Sequence, residues 1–319
     1  MFQNNTTEMQ LISFIITCYN LSAEQVTECI ESILKLSLRE NEREIIVVDD
    51  GSKECLMNSL MNKADKIIYI RQPNKGSGAA RNTGIQMSNG KYIQFVDGED
   101  KIISEAYEHC IDIIRYNNPD IVIFNSGNRE SGKNDYIGEE PTEGTEYMKN
   151  NSMQISPWRY AFARQILIDL RFTPGQYAGE EEFTTLLFLR AERIYSTSAV
   201  AYFDRFKKTE NTDRHDKKLV MKRLDDLQSV LIRLNDMSTA MAISDKAAMQ
   251  RRLAQMTMEY IIKIIKWTRS AKQLSIRIGK LEEQGLFPLP DKYYSKKYLI
   301  FNKLSRSSLF KRIIMKVLG

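Results

Sequence analysis

Over the first 125 residues, short apolar runs alternate with segments of helical spacing. Residues 11–17 (LISFIIT), 44–48 (EIIVV), 66–71, 91–96 (KYIQFV) and 120–125 (DIVIFN) are apolar and β-branched, the composition of buried strands. Between them, 23–36 carries Val26, Ile30, Ile33 and Leu34 at helical spacing, and 79–87 and 104–116 predict two further helices. Such alternation implies a mostly parallel sheet covered on both faces. Ligands of these sheets sit beyond the carboxyl ends of the strands. Further on, 127–144 is polar and predicts a loop, while 158–170 and 181–191 predict helices. From 213 to 278 there is no Gly or Pro, and Leu224, Leu227, Leu231 and Leu234 recur at helical spacing, which predicts a helical extension. Phe287-Pro288-Leu289-Pro290 breaks it.

Composition narrows the class. Hydrophobic residues are 42% and charged residues 27% of the 319, an ordinary globular balance that excludes a disordered chain. The four cysteines form no Cys-x-x-Cys pair, and the first residues lack a secretory pattern, so reduced thiols in a cytoplasmic protein are expected. Two histidines, His109 and His215, are too few for a zinc site built on His and Cys. No apolar run is long enough to span a bilayer. The net charge of +5 is uneven: residues 292–319 hold eight Lys or Arg and no acid, so the remainder sums to 5 − 8 = −3.

The segment after each early strand carries polar chemistry. These are Thr17-Cys18-Tyr19-Asn20, Asp49-Asp50-Gly51-Ser52, Lys75-Gly76-Ser77-Gly78 leading to Arg81, and Asp97-Gly98-Glu99-Asp100. A carboxylate such as Asp49 can accept from a base N–H or a ribose hydroxyl, and Tyr19 can lie against a base. A helix start behind Gly76 and Gly78, with Lys75 and Arg81, offers positive potential to phosphates. The acidic turn repels phosphate unless a hard divalent cation, Mg²⁺ or Mn²⁺, lies between.

In that order, SFIITCYN, EIIVVDDGS, NKGSGAARNTGI and GKYIQFVDGED resemble the family 2 glycosyltransferases. The resemblance is strong over 10–125 and weaker to about 210. It implies the GT-A nucleotide-diphospho-sugar transferase fold, an α/β sheet flanked by helices. The expected domains are 1–212 (donor half 10–125, acceptor half 126–212) and a C-terminal helical extension, 213–319. It also implies inverting transfer from a UDP-sugar, or a related donor, to a glycan or lipid-linked acceptor hydroxyl, in bacterial polysaccharide or lipopolysaccharide synthesis. Thr17, Tyr19 and Asp49 would face the nucleoside and Arg81 would sit near the phosphates or donor sugar, with Asn20, Asp50, Lys75, Gly76, Asp97 and Gly98 completing the nucleotide-sugar site. Asp97 and Glu99 would form the Asp-x-Asp-type metal motif for Mn²⁺ or Mg²⁺. The usual third-position Asp is here Glu99, so Asp97 or Asp100 could hold the ion instead.

Inverting transfer needs a base for the acceptor hydroxyl. Gly179-Glu180-Glu181-Glu182-Phe183 resembles the family's Glu-Asp-x-x-Phe segment with Gly179 in place of Glu, which makes Glu180 the first candidate and Glu181 the second. Trp158 falls where relatives border the acceptor. Arg205, Lys207 and Lys208, with His215 beyond, fall where relatives place a loop over the diphosphate. The tail 308–319 (SLFKRIIMKVLG) has an apolar face flanked by cations, as in segments that lie on an anionic bilayer, here the inner face of the cell membrane. A helix packed on the body with a basic edge fits the same pattern. No nucleic-acid motif is present. The competing function is a sugar-nucleotide or glycan-binding module that has lost the base.

Overall fold

The computed structural model describes residues 10–128, 140–153, 156–205 and 216–306. They fall into two compact units. One lies within Met1–Gly144, Ile155–Gly175 and Leu186–Lys207, the other within Thr145–Gln154, Gln176–Thr185 and Lys208–Gly319. The sequence predicted one boundary at 212/213; the short segments 145–154 and 176–185 join the second unit instead.

The first unit is built on one sheet. Its strands are β1 (Ile12–Cys18), β2 (Arg43–Asp49), β3 (Ile68–Arg71), β4 (Tyr92–Asp97), β5 (Lys101–Ile102), β6 (Ile121–Gly127), β7 (Tyr160–Ala163) and β8 (Ile194–Phe203). Their order is β3-β2-β1-β4-β7-β6-β8-β5. The β3-β2-β1-β4 half is all parallel, whereas β7 runs antiparallel to both β4 and β6. The helices α1 (Ala23–Leu34), α2 (Ser77–Met87) and α3 (Ser104–Asn117) follow the predicted order. Alternation along β1 explains the covering of both faces. Ile12, Phe14 and Ile16 share a core with Val26, Ile30 and Ile33 of α1 and Ile111 and Ile114 of α3. Ile15 points the other way, to α2, where a Cβ on Gly84 would lie 2.2 Å from its Cγ2.

One predicted helix is not one. Residues 158–170 form a 3₁₀ turn (Pro157–Arg159), then β7, then a second 3₁₀ turn (Arg164–Ile166). Tyr160, Ala161, Phe162 and Ala163 are all buried, so the short apolar run has no periodicity to distinguish helix from strand. Two waiting strand edges decide in favour of pairing. The ten-residue β8 was also absent from the predicted elements.

The second unit is helical. It contains most of α4 (Gly144–Asn150), the start of α5 (Gly179–Leu189), and α6 (Lys217–Thr239), α7 (Ile243–Thr268), α8 (Ala271–Glu283) and α9 (Lys296–Ser305). The leucines at 224, 227, 231 and 234 are buried on α6, as their spacing predicted. Without Gly or Pro, the 213–278 stretch still breaks into three helices. Arg269 closes α7 in the left-handed conformation (φ 46°), and Ser270 caps α8 by accepting from the Gln273 N–H.

Candidate functional site

Register brings the strand-end segments together in the first unit. Asp49 at the end of β2 lies between Cys18 of β1 and Arg71 of β3, and Thr17 of β1 pairs with Asp97 of β4. Arg71, Asp49, Thr17 and Asp97 therefore line one sheet edge, the carboxyl end of each parallel strand. Tyr19 stands 50% exposed just beyond β1. Asn20 follows at φ 52°, donating its N–H to Ser52 Oγ (2.9 Å) and accepting the Lys53 N–H at Oδ1 (2.8 Å). Asparagine tolerates this left-handed backbone better than most residues. Cys18 is no nucleophile: burial first, then Asp49 and Asp50, push its thiol up to about 12.

The two aspartates of the second segment are used inside the fold. Asp49 is fully buried; it accepts the Ser52 N–H (2.8 Å) and the Tyr69 hydroxyl (2.8 Å), and Arg71 Nε lies at 3.4 Å. Asp50 accepts from Gln72 Nε2 (2.7 Å) and from the backbone N–H groups of Lys75 (3.0 Å) and Gly76 (2.8 Å). Asp50 thus takes two N–H groups just ahead of α2 (Ser77–Met87), and the Lys75 side chain is exposed. Gly76 has φ +88°, a conformation that side-chain-bearing residues avoid.

Arg81 is 2% exposed, pairs with Asp97 Oδ1 at 3.2 Å, and lies 5.5 Å from the Phe172 ring centroid and 5.9 Å from that of Phe95. The buried pair orients the Asp97 carboxylate. Gly98 donates to the Thr17 carbonyl (2.9 Å), and a Cβ there would crowd Leu21 at 3.0 Å and Cys18 at 3.1 Å, so the turn needs glycine. Asp100 is buried and accepts from the Tyr202 hydroxyl (3.0 Å) and the Arg205 N–H (3.0 Å). Burial is the main cause that raises its carboxyl to about 7, against the opposing Arg205 N–H. Glu99 is half-buried, and its carbonyl accepts from Arg205 Nε (2.9 Å). Of the three acids in this turn, Asp100 is bonded by Tyr202 and Arg205, Asp97 pairs with Arg81, and Glu99 is half-buried.

Tyr202 is the residue that sequence reading missed. Its hydroxyl also accepts the Asp97 N–H (3.0 Å), so one buried phenol joins both ends of the turn from 105 positions away. Trp158 belongs to this support and not to an acceptor-facing surface. It is 8% exposed and stacks on Tyr202 with centroids 4.4 Å apart and planes at 15°. Arg205 pairs with Glu28 and extends the clasp. Lys207, Lys208 and His215 lie outside the described residues.

In the second unit the three acids opening α5 separate by environment. Glu182 is held by Arg233 through two bonds, of 2.8 and 2.7 Å. Glu181 is buried beside Lys263 (3.8 Å), and burial raises its carboxyl above the ordinary range. Glu180 is half-buried. Their place in the first turn suits the positive end of the helix.

Comparison with known proteins agrees with this architecture. The uncharacterized glycosyltransferase EpsJ of Bacillus subtilis is 29% identical over 201 residues, covering 58% of this chain and 58% of EpsJ. Glycosyltransferase GlyG of Streptococcus pneumoniae is 28% identical over 205 residues, 58% of this chain and 67% of its own. The chain thus spans somewhat over half the length of EpsJ, the first of these relatives. Staphylococcus aureus TarS 1–349 in complex with UDP-GlcNAc superposes with a TM-score of 0.56 over 93% of this chain and 91% of TarS, at 17% identity. The mannosyltransferase PcManGT of Pyrobaculum calidifontis, in complex with GDP-Man and Mn²⁺, gives 0.57 over 98% and 87%, at 11% identity. These two likenesses establish the fold. The profile of glycosyl transferase family 2 matches residues 13–174, half of the chain, and the chain belongs to that family.

Proposed function

We propose that the protein transfers a sugar, with inversion, from a UDP-sugar or related nucleotide sugar to an acceptor hydroxyl in bacterial surface-polysaccharide synthesis. The observation that carries the reading is the register that lines Arg71, Asp49, Thr17 and Asp97 along one strand-end edge, closed by the acidic turn. The nucleoside end is assigned to Thr17, the exposed Tyr19, Asn20 and the Asp49–Tyr69–Arg71 group. Among the described residues, no cluster of three or more His, Cys, Asp or Glu side chains could enclose a metal ion. Mg²⁺ and Mn²⁺ do not need one, because one or two carboxylates plus diphosphate oxygens and water complete their shell. Asp97 and Glu99 supply that many hard oxygens. When bound, the ion offsets the diphosphate charge as it leaves.

Glu180 is the proposed base. It stands three residues before Phe183, at the Asp position of the Glu-Asp-x-x-Phe-like segment, and it is half-buried, whereas Glu181 is buried. It takes the acceptor hydroxyl proton as that oxygen bonds to the anomeric carbon and the bond to the diphosphate breaks. The full chain should release UDP from one of a panel of UDP-sugars only with Mn²⁺ or Mg²⁺, and Glu180→Gln should abolish the release. A panel that gives neither binding nor release sinks the reading. A second reading is a sugar-nucleotide or glycan-binding module without transfer. It is favoured by one observation: Arg81 already pairs with Asp97, and the Lys75 and Gly76 N–H groups already bond Asp50. Binding without release would select it.

The acceptor is proposed to be a glycan or a lipid-linked glycan. No described helix is long and apolar enough to cross a membrane. The basic segment 292–319 is proposed to lie on an anionic bilayer. Its described part exposes Lys292, Tyr293, Lys296, Lys297, Ile300 and Lys303, an apolar-and-cationic surface of the kind such bilayers attract. Residues 307–319 lie outside the described ones. Chains with and without 292–319 should differ in co-sedimentation with phosphatidylglycerol-containing vesicles; equal binding overturns this.

A further inference from the structure

Phe172 lies in a segment, 171–173, that belongs to no helix or strand, and no step of the proposed transfer uses it. Yet it is only 2% exposed, and three groups of the first unit fix it. Asn82 of α2 grips its backbone on both sides: Oδ1 accepts the Phe172 N–H (2.9 Å) and Nδ2 donates to the Phe172 carbonyl (2.7 Å). Phe95 of β4 meets the ring edge-on, with centroids 5.6 Å apart. Gly78 of α2 leaves space for it, since a Cβ there would stand 3.1 Å from the Phe172 Cβ.

Gly78, Arg81 and Asn82 follow the i, i+3, i+4 spacing of one helix face, so α2 presents all three to the same segment. Gly78 thereby has a packing task, the close approach of Phe172 to the helix. Between Gly78 and Asn82, the Arg81 guanidinium lies 5.5 Å from the Phe172 centroid and 5.9 Å from that of Phe95.

A guanidinium that is only 2% exposed has lost most of its water. That loss is costly unless its neighbours offset it. Asp97 at 3.2 Å supplies the opposite charge, and the two rings supply the attraction of an aromatic face for a cation. The rings also restrict where the guanidinium can turn, and with it the carboxylate it holds. Apolar burial alone is served by any large side chain, whereas a cation on the ring is served only by an aromatic one. The sequence places Phe172 75 positions after Asp97, so the link is made by the fold alone.

We infer that Phe172 is a positioning residue for the cation site: acting through Arg81 it aims the Asp97 carboxylate, and Asn82 and Gly78 hold it there. The inference rests on the reading of Asp97 as a ligand of Mn²⁺ or Mg²⁺. It makes the 171–173 segment a determinant of donor binding, although that segment gives the donor no ligand of its own.

UDP binding to the full-length chain is measured by calorimetry over a series of Mn²⁺ concentrations and without Mn²⁺. The quantity read is the Mn²⁺ concentration that gives half-maximal UDP binding. Phe172→Leu keeps an apolar side chain and loses the aromatic face, and should raise that concentration about three- to tenfold. Phe172→Tyr keeps the face and should stay within about twofold of the parent. Asn82→Ala suits a helix, so α2 is retained while the Phe172 backbone is released. It should raise the Mn²⁺ requirement in the same direction. Metal-free UDP affinity should be unchanged in all three. The inference is overturned if Phe172→Leu and Asn82→Ala keep the parent's Mn²⁺ requirement, or if Phe172→Tyr moves it as far as Phe172→Leu. It is also overturned if metal-free affinity falls by the same factor, which would make Phe172 a core residue only. A parent chain whose UDP binding ignores Mn²⁺ would count against the donor reading itself. A metal-dependent parent with unmoved variants counts against this inference alone.

Discussion

Two acidic runs, the turn 97–100 in the first unit and 180–182 in the second, are alike in sequence and put to different uses. In the turn, every acid is held from outside its own segment: Asp97 by Arg81 and by Tyr202 through its N–H, Asp100 by Tyr202 and Arg205, and Glu99 through a carbonyl bound to Arg205. In the helix start, Glu182 pairs with Arg233, Glu181 is buried beside Lys263, and Glu180 is half-buried. The turn is thus a rigid pair of oxygen donors, while the helix start sorts three equal carboxylates into a brace, a buried acid and a candidate base. Residue type sets what a carboxylate can do, and its partners set which task it is left with.

The largest break in this comparison comes from the helix start. Glu180→Gln keeps size and loses proton-accepting power, so turnover should fall about 10²–10⁴-fold with UDP binding little changed. Glu182→Gln, which weakens only a partly exposed ion pair with Arg233, should leave turnover within a few-fold of the parent. Steady-state UDP release measured on both variants checks the pair. Equal losses would mean that the whole acidic start acts as one structural unit and that no single base has been found.

A smaller effect tests the turn. Tyr202→Phe keeps the ring that stacks on Trp158 and deletes the hydroxyl shared by the Asp97 N–H and the Asp100 carboxylate. Two buried groups lose a partner at once, which should cost about 1–3 kcal/mol of stability in denaturant unfolding. The Mn²⁺ concentration that supports half-maximal UDP release should rise as well, because Asp97 and Glu99 lose their fixed spacing. A stability loss with an unchanged metal requirement would make Tyr202 a core residue only.

Sequence alone gave a clear view of the parallel half of the sheet, because four apolar runs and four polar ends each follow from local chemistry. It also gave the order of those ends, from which the family resemblance comes. What it could not give was long-range pairing. The 158–170 segment reads as a helix until the edges of β4 and β6 are there to receive β7. Nor did the sequence show that Arg81 pairs with Asp97 and lies against the rings of Phe95 and Phe172. Trp158 reads as an acceptor contact until Tyr202 covers it. Asp50 carried the right type of chemistry, but its partners, the N–H groups of Lys75 and Gly76, stand 25 and 26 positions away. In each case the deciding partner is distant in sequence and chemically unremarkable.

The smallest expected effect separates Glu181 from Glu180 by pH. Burial is the largest cause that raises the Glu181 carboxyl above its ordinary value of 4.5, with Lys263 pulling the other way. The folded chain therefore holds this proton more tightly than the unfolded chain does. Its contribution to stability is full below the unfolded value and is lost as pH rises through the higher folded value. Glutamine carries no charge to bury, so Glu181→Gln should remove that loss. The melting temperature of the parent should fall more between pH 5 and pH 8 than that of the variant, by roughly 2 °C or less for a chain of this length. Turnover of the variant should stay within a few-fold of the parent. If turnover instead drops as far as in Glu180→Gln while the pH slope is unchanged, the roles of the two acids are exchanged. The buried carboxylate beside Lys263 would then be the base, and the half-buried one would only favour the helix start.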